Sequence, residues 1–205
     1  MIRSIAPIAA VALLAACQQP QTEAPAPTEP APAPAPAPAP PVIQPSATVI
    51  TSEGWGPLRI GMSRADVVTA LGEDANPNAV GGPDPQSCDE FRPARAPESV
   101  LVMIENGVLT RISLIRPSDI KTDRGFGVGD TAASVKTAYG AAATAEPHKY
   151  EAAPAEYITA WSRGGSTSYV QDPNARGLVY EVGGDGNVKA IRAGGPSIQL
   201  VEGCA

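Results

Sequence analysis

Between residues 20 and 45 the chain places 11 prolines in 26 positions, including the run Ala31-Pro32-Ala33-Pro34-Ala35-Pro36-Ala37-Pro38. Proline fixes φ and has no N–H to donate, so this stretch can build neither a helix interior nor a sheet ladder. It is predicted to be an extended polyproline-type spacer, at about 3.1 Å per residue and roughly 80 Å at full reach. A spacer accounts for it better than a ligand for a proline-reading domain. The tract therefore divides the chain, and the 160 residues that follow, 46–205, have the length of one domain with a moderate core.

Ahead of the tract, residues 1–16 carry one positive charge, Arg3, and an Ile, Ala, Val and Leu run too short to span a bilayer. That is the pattern of a signal peptide. Leu14-Ala15-Ala16-Cys17 resembles the lipobox of bacterial lipoprotein precursors. The resemblance implies diacylglycerol on the Cys17 sulfur, cleavage before it and acylation of the freed amine, palmitate being the usual chain type. Two or three chains, at about 0.8 kcal/mol per buried methylene, anchor stably where one is marginal. Gln18 stands where Asp would imply retention in the inner membrane, so the expected address is the outer membrane, lipid-anchored and periplasm-facing, with exposure at the cell surface left open. Residues 17–45 are then the lipidated N-terminus and linker.

Loss of the leader takes the net charge from −6 to −7, because Arg3 goes with it. An acidic chain whose Lys and Arg form no stripe is a poor nucleic-acid binder, and its membrane contact is expected through the lipid alone. With Cys17 lipidated, two thiols remain, Cys88 and Cys204, in an oxidising compartment, and they are expected to pair. Two cysteines and one histidine are too few for a closed zinc site, and no C-x-x-C is present.

Within 46–205 the chain contains an internal similarity. Ile60-Gly61-Met62-Ser63-Arg64-Ala65-Asp66-Val67-Val68-Thr69-Ala70-Leu71-Gly72 lies 68 positions before Val128-Gly129-Asp130-Thr131-Ala132-Ala133-Ser134-Val135-Lys136-Thr137-Ala138-Tyr139-Gly140. Six of the thirteen positions are identical. Each copy reads as a short helix, with Ser63 or Thr131 as N-cap, an i, i+4 pair (Val67 with Leu71, Val135 with Tyr139) and a glycine past the end. Hairpins are expected after each: 99–105 returning through Asn106-Gly107 to 108–115, and 177–182 returning through Gly183-Gly184-Asp185-Gly186 to 188–193. A further strand is expected over 157–162. The predicted fold is α+β: two tandem helix-plus-antiparallel-strand repeats, about 54–115 and 123–193, forming one sheet with helices on one face.

Gly61-Met62-Ser63, Val67 and Leu71-Gly72 resemble the helix signature of SmpA/OmlA-type outer-membrane lipoproteins, and the tandem arrangement resembles the fold of the β-lactamase inhibitory protein. These resemblances imply a non-enzymatic role in envelope assembly or maintenance, or an inhibitor that grips its target with a sheet. The lone Cys88–Cys204 pair departs from the inhibitor's within-repeat disulfides, and the assembly lipoproteins usually carry one such unit, so no binding residue is carried over.

Catalytic equipment is scarce. There is no G-x-S-x-G, no H-E-x-x-H and no phosphate-cradling loop, and His148 is the sole imidazole, so no catalytic, metal or cofactor residue is assigned. Gly164-Gly165-Ser166-Thr167-Ser168 reads as a hairpin tip, Asp172-Pro173-Asn174 and Gly184-Asp185-Gly186-Asn187 as turns rather than calcium loops, and Trp55 as a core anchor. The candidate binding surface is His148, Tyr150, Tyr157 and Trp161, a concentration of rings in a chain only 4% aromatic. The favoured reading of the same residues is that Tyr150, Tyr157 and Trp161 pack the core of the second half while His148 caps a loop. The expected function is an outer-membrane-anchored, non-enzymatic binding or scaffold module with an envelope protein partner; an inhibitor of a periplasmic enzyme and a glycan or peptidoglycan binder are the alternatives.

Overall fold

The computed structural model describes residues 49–79 and 81–204. The predicted leader, the Cys17 lipidation site and the linker lie outside the described residues. The chain runs through β1 (Val49–Thr51), β2 (Gly54–Trp55), β3 (Leu58–Arg59), α1 (Arg64–Leu71), β4 (Cys88–Phe91), β5 (Val100–Glu105), β6 (Val108–Ile115) and β7 (Lys121–Thr122). It continues through α2 (Ala132–Tyr139), β8 (Ala143–Pro147), β9 (Glu156–Arg163), β10 (Arg176–Val182) and β11 (Val188–Gly194) to a 3₁₀ turn at Pro196–Gln199.

The expected tandem α+β architecture is corrected: the molecule is mostly β, and its strands form two sheets. A seven-stranded antiparallel sheet has the order β4-β5-β6-β11-β10-β9-β8, and a four-stranded mixed sheet has the order β3-β2-β1-β7, with β1 and β7 parallel. The reason lies in how little the helices cover. Each has eight residues; α1 buries only Val67, and α2 buries Ala132 and Val135. The remaining cover comes from the small sheet, through Ile50, Trp55 and Leu58. Nor do the halves match, since three strands of the large sheet come from the first and four from the second.

Local readings fare better than the global one. Ser63 Oγ accepts from the Asp66 N–H and Thr131 Oγ1 from the Ser134 N–H, both at 3.2 Å, so both helices have the expected N-caps. Asn106 and Gly107 take φ of 48° and 80°, the two left-handed positions a tight hairpin requires. Cys88 and Cys204 are joined, with 5.5 Å between their Cα atoms.

Register explains the core. Residues opposite one another in an antiparallel sheet share a face, and one row across the large sheet reads Val100, Leu114, Ile191, Tyr180, Ile158. All five are fully buried against the helices and the small sheet. Tyr180, the polar exception, sends its hydroxyl to Thr122 Oγ1 of β7 at 3.1 Å and lies 2.8 Å from the Tyr139 hydroxyl of α2. Burial pushes that phenol well above its ordinary pKa, so it remains an O–H donor.

Candidate binding groove

The same alternation puts different chemistry on the opposite face. One row there reads Leu101, Ser113, Arg192, Val179, Thr159, Thr144; its neighbours are Met103, Arg111, Gly194, Gly177, Trp161 and Ile115, Ala190, Glu181, Tyr157, Glu146. Two glycines face each other here, Gly177 near the start of β10 and Gly194 at the end of β11, and each marks a close approach. A Cβ on Gly177 would lie 2.7 Å from Trp161 Cε3 and 3.2 Å from Ile198 Cδ1, so its absence seats the indole and the C-terminal turn on the sheet. A Cβ on Gly194, where φ is 146°, would lie 2.3 Å from the Thr110 carbonyl oxygen.

The C-terminal segment crosses this face. Arg111 Nη1 donates to the carbonyls of Ser197 (3.1 Å) and Leu200 (2.9 Å), its Nη2 donates to Glu90 at 2.8 Å, and the disulfide fastens Cys204 to edge strand β4. Gln199 clasps the loop after β9 from both sides: its Oε1 accepts from the Val170 N–H at 2.9 Å and its Nε2 donates to the Val170 carbonyl at 2.8 Å. Gly165 packs its backbone against the Trp161 ring, where a Cβ would fall 2.0 Å from Cγ.

Between this loop, the C-terminal turn and strands β8 to β11 lies a groove of about 180 Å³. Its apolar lining is Val179, Ile198 and Val201 with Tyr157 and Trp161; its rim carries Thr144, Thr159, Ser166, Thr167 and Ser168, with Tyr169 and Arg192. Tyr169 is 61% exposed, the kind of ring that folding alone does not account for.

The four sequence-predicted residues separate. Tyr157 and Trp161 line the groove. His148 is buried beneath it, its ring stacked on Tyr157 with centroids 4.6 Å apart. Tyr150 is 64% exposed and lines no part of it, lying under Lys149 Nζ at 5.1 Å. His148 Nδ1 accepts from the backbone N–H groups of Tyr150 and Glu151, both at 3.1 Å, which assigns the ring proton to Nε2. From there it donates to Glu181 at 3.2 Å, with the Tyr157 hydroxyl at the same distance.

Glu181 is the hub that sequence reasoning missed. Its carboxylate also receives Lys189 Nζ at 2.9 Å and pairs with Arg192 Nη2. Burial raises its pKa, but Arg192, Lys189 and His148 outweigh that and hold it below the usual carboxylate range. Burial and then the Glu181 charge push the Tyr157 phenol upward. Desolvation lowers the Arg192 guanidinium, Glu181 raises it and Arg111 lowers it again. The available signal was a charge set among the apolar residues of adjacent strands, Arg111 in β6, Glu181 in β10 and Arg192 in β11.

The turn readings stand: Asp172 Oδ1 accepts from the Asn174 N–H and Asp185 Oδ1 from the Asn187 N–H, at 2.9 and 3.0 Å. Among the described residues no three His, Cys, Asp or Glu side chains group to hold a metal ion, and no helix is long and apolar enough to cross a membrane. No protein-family model, curated protein or solved structure matches the chain.

Proposed function

We propose that this protein is a tethered, non-enzymatic binding module of the bacterial envelope, held in the outer membrane by lipid on Cys17 and capturing a protein partner in the groove on the open face of its large sheet. The observation that carries the reading is the groove: a small apolar cluster of Tyr157, Val179 and Ile198, with Trp161 half-buried and Tyr169 exposed beside a hydroxyl rim, on the face of the sheet opposite the main core. Apolar floors with aromatic anchors supply most of the binding energy at protein interfaces. The lipobox and the likeness of residues 61–72 to SmpA/OmlA-type lipoproteins support the address and the scaffold role. A tether fits capture rather than turnover, since it raises the effective concentration of a partner within reach of the spacer. The hydroxyl rim beside Tyr157 and Trp161 favours one second reading, a glycan partner.

The test is photocrosslinking in cells from position 169, with Thr159→Arg to fill the groove and a chain shortened across residues 20–45. The reading expects one discrete adduct, lost with Thr159→Arg and reduced by at least threefold in the shortened chain, with thermal stability unchanged in the latter. Adducts indifferent to Thr159→Arg, or turnover of a substrate by the purified protein that suffices for its role in cells, would refute it.

A further inference from the structure

Next to the groove, and sharing Arg192 with it, is a second concavity: an open cleft of about 410 Å³ between β6, β11 and the C-terminal segment. Arg111 and Arg192 both line it, and Ser113 sits between them, directly opposite Arg192 in register and two residues along β6 from Arg111. The two arginines are 2% and 7% exposed. Each already has a carboxylate partner, Glu90 for Arg111 and Glu181 for Arg192. Even so, Arg111 Nε and Arg192 Nη1 are buried without an acceptor among the described residues. A buried N–H left unpaired costs about 1–3 kcal/mol, and more on a charged group, so two in one cleft call for an explanation.

We infer that this cleft is a carboxylate-binding site, in which one planar carboxylate accepts from Arg111 Nε and Arg192 Nη1 and from the Ser113 hydroxyl. Geometry favours a carboxylate over phosphate. A carboxylate is planar and offers two oxygens to two single N–H donors, and Arg is the residue suited to planar oxyanions. Charge favours it too: Glu90, Glu181 and Glu202 balance Arg111, Lys189 and Arg192 around the cleft, and in a formally neutral lining a dianion costs more to desolvate than a monoanion. Both nitrogens lie below the surface, so binding includes a local side-chain adjustment that uncovers them to the acceptor. A peptide C-terminus and a small organic acid present the same group, and the inference is independent of what fills the groove.

The full chain, ¹⁵N-labelled at arginine, distinguishes these. Its side-chain resonances are followed at constant ionic strength during titration with acetate, N-acetylalanine, N-acetylalaninamide and inorganic phosphate. Arg176, whose Nε also lacks a hydrogen-bond acceptor but which does not line the cleft, serves as internal reference. Saturable shifts at Arg111 and Arg192 with acetate and N-acetylalanine are expected, Arg176 and the amide titration staying flat. Tighter binding of N-acetylalanine identifies a peptide terminus as the source, and equal binding a free acid. Ser113→Ala removes one donor without disturbing either arginine and weakens binding about tenfold; Arg192→Lys keeps the charge, loses the fork and weakens it by at least as much. Absence of saturation, equal shifts with the amide, tighter binding of phosphate, or affinity unmoved by Ser113→Ala overturns the assignment.

Discussion

Glu181 shows how one buried side chain organises a face of the molecule. Three donors converge on it from two elements: Arg192 and Lys189 of β11, and His148 of the loop after β8. Replacing it by Gln leaves both cations in place and removes the charge that holds them. Glu181→Gln is therefore expected to cost about 3 kcal/mol in urea denaturation at neutral pH, as for other broken buried pairs. The pH dependence has a definite sign. Because the carboxyl titrates lower in the folded state than in the unfolded chain, its contribution is complete above the ordinary Glu pKa and disappears as pH falls through the depressed folded value. Wild-type stability should decline below about pH 4.5, with a shallower decline in Glu181→Gln. Parallel profiles over pH 3–7 would remove Glu181 from that role.

At the scale of elements, each helix rests on its cap as well as on a few apolar contacts. Eight residues is too short for a helix to persist unaided, and Val67 is the only buried side chain of α1. Ser63→Ala and Thr131→Ala should each cost about 1 kcal/mol, measured as a shift in the denaturation midpoint with the slope unchanged. Those caps were legible in the sequence because a cap, its helix and its glycine lie within a dozen residues, as do Asn106-Gly107 and its two strands. What joined the halves was not. The pairing of β6 with β11, which makes seven strands one sheet, brings Ile112 beside Ala193, and nothing near either residue announces the other. The parallel pairing of β1 with β7 is as remote, and the conspicuous repeat drew attention to helices while the strands held the core. The groove was half legible for the same reason. Tyr157 and Trp161 stand out as rings, whereas Arg192 and Gln199 acquire meaning only when β11 and the segment after it fold across the sheet. Gly194 offers a sharp check on that crossing. Gly194→Ala drives a methyl into the Thr110 carbonyl from a backbone conformation unfavourable to any side chain. It should destabilise by more than 2 kcal/mol, whereas Gly184, exposed, outside the left-handed region and with no non-adjacent residue nearer than 3.8 Å to an added Cβ, tolerates the same change at under about 1 kcal/mol.

For the whole molecule, the Cys88–Cys204 bond fixes both an edge and an end. Cys88 belongs to β4, an outermost strand of the large sheet, and Cys204 follows the segment that covers Arg111 and braces the groove through Gln199. The two are 116 residues apart, so the bond closes a long loop in the unfolded domain, worth about 5 kcal/mol in the chain-entropy model. Two consequences separate the entropic effect from local bracing. The double variant Cys88→Ser, Cys204→Ser should lose several kcal/mol in global denaturation, an effect borne by the unfolded state and spread over every strand. Native-state hydrogen exchange should also show a local loss, confined to the segment from the Pro196–Gln199 turn onward and to the Val170 amide that Gln199 receives. If Val170 keeps its protection relative to the β10–β11 core while global stability falls, the bond acts on the unfolded chain alone. If Val170 opens selectively, the disulfide is what holds the groove in shape, and that shape depends on the bond staying oxidised.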